Sequence, residues 1–201
     1  MPRQRKYPLP DAAALAAGVR ERRPDYVESF PPCVDEDCRI LILGSMPGAR
    51  SLAAGEYYAH PQNLFWPIMH AVFGVDAAQP FALRVAQLRS CGVGLWDVLQ
   101  GCERRGSLDS AIAKQTEVPN AIVALLARRP TIATIALNGA KAAQAFSRHI
   151  AKHIPTERLS RLALHALPST SPAHASMSRE EKIRRWSVLA NASRLRRDQD
   201  L

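Results

Sequence analysis

Apolar and polar positions along this chain switch between two periods. Ile40, Leu41, Ile42 and Leu43 form an unbroken apolar run between Arg39 and Gly44. A run without alternation is the pattern of a strand covered on both faces, as in a parallel sheet. Val93 to Val98, the β-branched Thr131 to Leu137 and Arg161 to Leu167 predict three more strands. Between them the spacing turns helical. Leu64, Phe65, Ile68, Met69, Val72 and Phe73 recur on one helical face that Gly74 closes. Pro67 fits a helix starting at about Asn63, because its missing N–H then falls in the first turn. Further helices are predicted over Phe81 to Arg89, Leu108 to Ala113, Pro119 to Arg128 and Ala140 to Ile150. The last begins at Ser178-Arg-Glu-Glu181, a reciprocal capping pattern, with Ile183, Trp186 and Leu189 toward the core and Lys182, Arg184 and Arg185 toward water. Nearer the start, Ala12 to Arg22 reads as a short surface helix, and Pro24, Pro31 and Pro32 keep the chain extended.

Strands alternating with helices at this spacing predict a three-layer α/β/α sandwich around a mostly parallel four-stranded sheet. One domain spanning 1–201 is expected, with about 1–10 and 195–201 frayed. In such sheets ligands sit beyond the carboxyl ends of the strands. The loops Gly44 to Asn63, Asn138-Gly139 and Pro168 to His174 should therefore converge on one edge.

Charge narrows the partners. Lys and Arg number 27 against 18 Asp and Glu, a formal +9 that favours a polyanion such as nucleic acid, although a basic composition alone gives the same excess. No apolar run approaches the ~20 residues of a membrane span. The basic start of the chain lacks the apolar segment of a secretory signal, so a cytoplasmic protein with reduced Cys33, Cys38, Cys91 and Cys102 is expected. The cysteine spacings match no zinc pattern, and neither metal nor cofactor is expected.

The loop sequences add chemistry. GSMPG at 44–48, YYAHPQNLFW at 57–66, LNG at 137–139 and LPSTSPAH at 167–174, in that order and each near a strand end, resemble the uracil-DNA glycosylase superfamily, and within it the hypoxanthine-DNA (deoxyinosine) glycosylase branch. The resemblance runs from about Val34 to Trp186. It implies a monofunctional DNA glycosylase that excises hypoxanthine, and other deaminated bases such as uracil or xanthine, to begin base excision repair. Most of the superfamily has an aspartate or asparagine where this chain has Met46, and a histidine or asparagine where it has Leu167. Neither side chain here can orient water or hydrogen-bond a departing base. In the hypoxanthine branch the work is assigned instead to positions that correspond to Asn63 and Asn138.

Each role has a plainer counterpart. Asn63 either fixes the attacking water by accepting its hydrogen bond or caps the helix that follows. Asn138 either reads the lactam edge shared by hypoxanthine and uracil or forms a turn with Gly139. The resemblance favours the catalytic alternatives. Gly44, Ser45, Met46 and Pro47 are expected to line the base pocket with His60, which also shapes its loop, and Tyr58 to stack on an extruded base. Ser169, Thr170, Ser171, Pro172 and His174 are expected at the DNA, where the superfamily's wedge is commonly a larger apolar residue than Ser171 or Pro172. Asp97 is read as a helix cap or as the ion-pair partner of Arg104 or Arg105, in preference to water activation. DNA containing deaminated bases is the expected partner, with no membrane, and the protein is expected to act as a monomer. A uracil or mismatched-thymine glycosylase, or a catalytically silent binder of damaged DNA, are the competing readings.

Overall fold

The computed structural model describes residues 25–190. The anticipated helix over Ala12 to Arg22 and both frayed ends lie outside them. Its elements in chain order are β1 (Tyr26–Glu28), β2 (Ile40–Gly44), α1 (Ala49–Ala54), α2 (Phe65–Phe73), α3 (Phe81–Ser90), β3 (Val93–Asp97), β4 (Leu99–Glu103), β5 (Val118–Pro119), α4 (Ile122–Arg128), β6 (Thr134–Asn138), α5 (Ala140–His149), α6 (Thr156–Leu159), β7 (Ala163–Leu167) and α7 (Arg179–Trp186).

The four apolar runs do form one parallel sheet, in the order β3-β2-β6-β7. β2 is central, and Ile40 to Leu43 are fully buried because both faces are covered. Leu41 and Leu43 pack toward α4 and α5, through Ile122, Leu125, Ala142 and Phe146. Ile40 and Ile42 pack the other way, toward α2, α3 and α7, through Phe65, Ile68, Leu88 and Trp186. Burying one such side chain contributes about 1.5–3 kcal/mol, so this strand anchors everything attached to its end.

A second, antiparallel sheet, β1-β4-β5, is the main departure from the sequence-based expectation. Pro119 lies in β5 and not in the first turn of a helix, so α4 begins only at Ile122. Pro119 has no N–H to give, and a short edge strand tolerates that. The helix anticipated over Leu108 to Ala113 is a single 3₁₀ turn at Asp109–Ala111. Glu117 fastens this small sheet to α5: its buried carboxylate meets Lys141 at 2.6 Å and Arg148 and His149 at 2.7 Å each. Burial pushes that carboxyl up, but the hydrogen bonds from Lys141 and His149 outweigh it and hold its pKa below the usual value.

The start of α7 follows the capping pattern only in part. Ser178 Oγ accepts from the Glu181 N–H at 3.2 Å, whereas the Glu181 carboxylate turns to Arg184 and Arg185. Trp186 and Leu189 are buried as expected. Lys182 does not face water. It is 2% exposed, and its ammonium donates to the His174 carbonyl at 2.7 Å.

Candidate active site

The carboxyl ends of the strands place four residues in one row. Register pairs Gly44 with Asp97 and Asn138 with Leu167, and β2 meets β6 through Leu43 and Leu137 one step earlier. Asp97, Gly44, Asn138 and Leu167 thus lie side by side, and period-2 alternation aims them at the α2 and α7 side of the sheet. Gly44 is the gap in this row. A Cβ there would stand 2.4 Å from Asp97 Oδ1 and 3.4 Å from the Tyr58 hydroxyl.

Asp97 is 3% exposed, and its Oδ2 makes no hydrogen bond among the described residues. The anticipated ion pairs do not form: Arg104 donates to the carbonyls of Pro47 at 2.6 Å and Gly106 at 3.0 Å, and Arg105 pairs with Asp25. Burial pushes the Asp97 carboxyl up to about 7, against a smaller opposing effect of the Tyr57 hydroxyl. A buried carboxyl shifted this far toward neutrality, at the end of the edge strand β3, is the feature that sequence reasoning set aside. Its only signal was its place after the apolar run Val93 to Trp96.

Asn138 is bracketed by Thr170. Its Nδ2 donates to Thr170 Oγ1 and its Oδ1 accepts from the Thr170 N–H, both at 3.0 Å. Thr170 is 1% exposed, so its hydroxyl is committed inside the protein and not presented to solvent. The remaining amide N–H of Asn138 is on the side of the Tyr58 hydroxyl, where it opposes the upward shift that burial and Asp97 impose on that phenol. Gly139, at φ +94°, lets the Ser169 side chain approach to 2.9 Å from where a Cβ would be, so the second and third loops interlock.

The first loop joins them. Leu64 N–H donates to the Thr170 carbonyl at 3.0 Å. Asn63 Oδ1 accepts from the Phe65 N–H at 3.0 Å, so the asparagine does secure the start of α2. That bond uses one of two lone pairs on the oxygen, which leaves acceptor capacity for a water. Tyr58 takes a left-handed backbone with φ +58°, uncommon for a side chain of its size. Its ring stacks on Phe65 with centroids 3.8 Å apart, so one aromatic face is already covered. Tyr57 is buried in the core beside it. His60 Nδ1 accepts from the Gln62 N–H at 3.2 Å and shapes the turn before Asn63.

Ser45 and Met46 point away from the row. Ser45 Oγ donates to Asp109 Oδ1 at 2.7 Å, and Met46 is buried among the side chains on the α4 and α5 side. Leu167 is buried on the opposite face. The loop from Pro168 to His174 is held from behind by α7, where Trp186 Nε1 donates to the Pro168 carbonyl at 3.0 Å and Lys182 holds the His174 carbonyl. In front, Ser169 Oγ accepts from the Ser171 N–H and Ser171 Oγ from the Ala173 N–H, at 3.2 and 3.3 Å. His174 Nδ1 is buried without a partner among the described residues. No three His, Cys, Asp or Glu among those residues cluster as metal ligands would, and the four cysteines are unbridged.

Comparison with known proteins fits this arrangement. Residues 31–192 match the family model described as the uracil DNA glycosylase superfamily. The chain is 36% identical over 118 residues to a protein named hypoxanthine DNA glycosylase from Methanosarcina barkeri, covering 58% of this chain and 73% of that one. A protein of the same name from Methanosarcina acetivorans is 32% identical over 154 residues, covering 76% and 91%. The solution NMR structure of a candidate uracil DNA glycosylase from Methanosarcina acetivorans superposes with a TM-score of 0.69 at 28% identity, over 83% of this chain and 98% of that one. With the match spanning every strand of the parallel sheet and all three interlocked loops, the chain belongs to the uracil DNA glycosylase superfamily.

Proposed function

We propose that this protein is a monofunctional DNA glycosylase that removes hypoxanthine from deoxyinosine in DNA. In the reaction a water adds to C1′ as the C1′–N bond breaks. The base leaves with the bonding electron pair and takes up a proton, and an abasic sugar remains. The observation that carries the reading is that Thr170 bonds both Asn138 and the backbone of Leu64, which follows Asn63, so the two asparagine loops are joined at one strand edge while Met46 is withdrawn into the core. Two relatives named hypoxanthine DNA glycosylases support the choice of base.

Asn63, fixed by its bond to the Phe65 N–H, holds the water through its second lone pair. This is catalysis by orientation, since an amide is no general base. Asn138 offers its remaining N–H to the base carbonyl, and Tyr58, backed by Phe65, offers the aromatic surface. Below about pH 7 the protonated Asp97 carboxyl keeps the row free of negative charge while the departing base acquires it. Ser169, Ser171, Pro172 and His174 lie on the loop assigned to the DNA backbone. The chain acts as one domain, as a cytoplasmic monomer. Lys182, the lysine nearest that loop, is buried and bonded to His174, so Schiff-base chemistry and strand cleavage are not expected.

Single-turnover release of base from duplexes carrying one deoxyinosine or one deoxyuridine tests the reading, with alkali cleaving the abasic product. Hypoxanthine release that Asn63→Ala abolishes is the expected result. Uracil release alone would move the protein to a uracil-directed function, and binding without release to a silent damage binder.

A further inference from the structure

Residues 104–108 form a loop that the glycosylase chemistry does not use, yet this loop and the Asp109 that follows it are tied to the first site loop at three points. Arg104 donates to the Pro47 carbonyl, Ser107 Oγ accepts from the Ala49 N–H at 3.1 Å, and Asp109 accepts from Ser45 Oγ. Residues 45–49 directly follow β2, so these ties place the loop at the same strand edge as Asp97 and Asn138. Between Ser107 and Asp109 stands Leu108, 55% exposed, the most exposed large apolar side chain among the described residues.

Its surroundings are cationic. Arg105 has 88% of its side chain exposed despite its surface pair with Asp25, and Arg50, on α1 next to Ala49, is exposed as well. Asp109, the acid that follows Leu108 in the chain, is turned inward by Ser45. An apolar tip between arginines suits a duplex, whose phosphates take the charges and whose base stack takes the hydrocarbon. The loop after β7 has a single large open-chain apolar side chain, Met177 beside the Ser178 cap, which is less exposed than Leu108, and otherwise only Pro168, Pro172, Ala173 and Ala175.

We infer that Leu108 is the apolar wedge with which this protein presses into the base stack of duplex DNA beside the damaged nucleotide, an inference that rests on the glycosylase reading. Extruding a base leaves a gap in the stack, and an inserted isobutyl group keeps that gap from closing. A single strand has little stack to hold open. The wedge therefore serves duplex substrates and not single-stranded ones.

The test compares wild type, Leu108→Ala and Leu108→Met on a deoxyinosine duplex and on the same oligonucleotide single-stranded, under single-turnover conditions. A parallel series carries 2-aminopurine next to the deoxyinosine, whose fluorescence rises on unstacking. Leu108→Ala is expected to slow release from duplex by about tenfold and to change single-strand release by less than about twofold, with Leu108→Met near wild type. Its fluorescence rise on binding should shrink in parallel. An unchanged duplex rate, or equal slowing on both substrates, overturns the wedge. If wild type releases base from neither substrate, the glycosylase reading falls and fluorescence alone decides. A rise present in wild type and lost in Leu108→Ala then supports the wedge, and any other pattern overturns it.

Discussion

The Asp97 carboxyl occupies the space that a side chain on Gly44 would need, its Oδ1 lying 2.4 Å from the ideal Cβ position. Neighbouring strands in register force the two together, and neither can yield. β2 is fixed by its fully buried core residues, and the end of β3 is held by Asn120, whose Nδ2 donates to the Asp97 carbonyl at 2.9 Å. Gly44→Ala is therefore expected to destabilise the fold by about 1–3 kcal/mol, as overpacking does, and to displace the acid. Urea denaturation measures the first effect, and loss of base release at a protein concentration where the variant stays folded measures the second.

Asp97 makes both stability and activity depend on pH. Its folded pKa of about 7 lies above the ordinary carboxyl value of 3.8. Between those values the unfolded chain has released a proton that the native protein keeps. Stability from this group is thus present at low pH and falls as pH rises toward 7, by on the order of 4 kcal/mol over the whole window. Asp97→Asn should remove that slope, read as the difference between wild-type and variant urea midpoints from pH 4 to 8. Ionised Asp97 would also oppose negative charge on the leaving base, so wild-type release should slow above pH 7 and the variant's profile should flatten.

Asn63 carries two assignments that substitutions can separate. Asn63→Ala loses both the cap on α2 and the water-holding amide, and should cost about 1 kcal/mol of stability together with at least a hundredfold in rate. Asn63→Ser keeps an oxygen that can accept from the Phe65 N–H. It should regain most of the stability and little of the rate, measured by thermal unfolding and single-turnover release on the same preparations.

The bracket between Asn138 and Thr170 should be stiff. Thr170→Val preserves shape but leaves an Asn138 N–H buried without its acceptor, at a cost of about 1–3 kcal/mol. Asn138→Ala strands the Thr170 N–H by the same logic. Amide hydrogen exchange should show faster opening of the Pro168 to His174 loop in both variants, while α3, packed on β3 at the opposite edge of the sheet, keeps its protection.

Much of this protein could be read from order along the chain. Four strand-like runs predicted the parallel sheet, three of them because a strand covered on both faces has no polar phase to hide, and the loops at their ends marked the site region; β7 is an exposed edge strand that followed from its place in the chain order. Local chemistry also carried the Ser178 cap and the two alternatives at Asn63. What tertiary structure alone decided are pairings between distant segments. The antiparallel sheet joins Tyr26–Glu28 to Leu99–Glu103 and Val118–Pro119, short strands whose partners supply the hydrogen bonds that their sequences do not announce. Lys182 reads as a solvated helix residue until the His174 carbonyl stands above it. Asp97 reads as a helix cap or an ion-pair partner of Arg104 or Arg105 until strand register buries it beside Tyr57 and Tyr58. In each case burial and partner, not residue type, set the role, and both are properties of the folded chain.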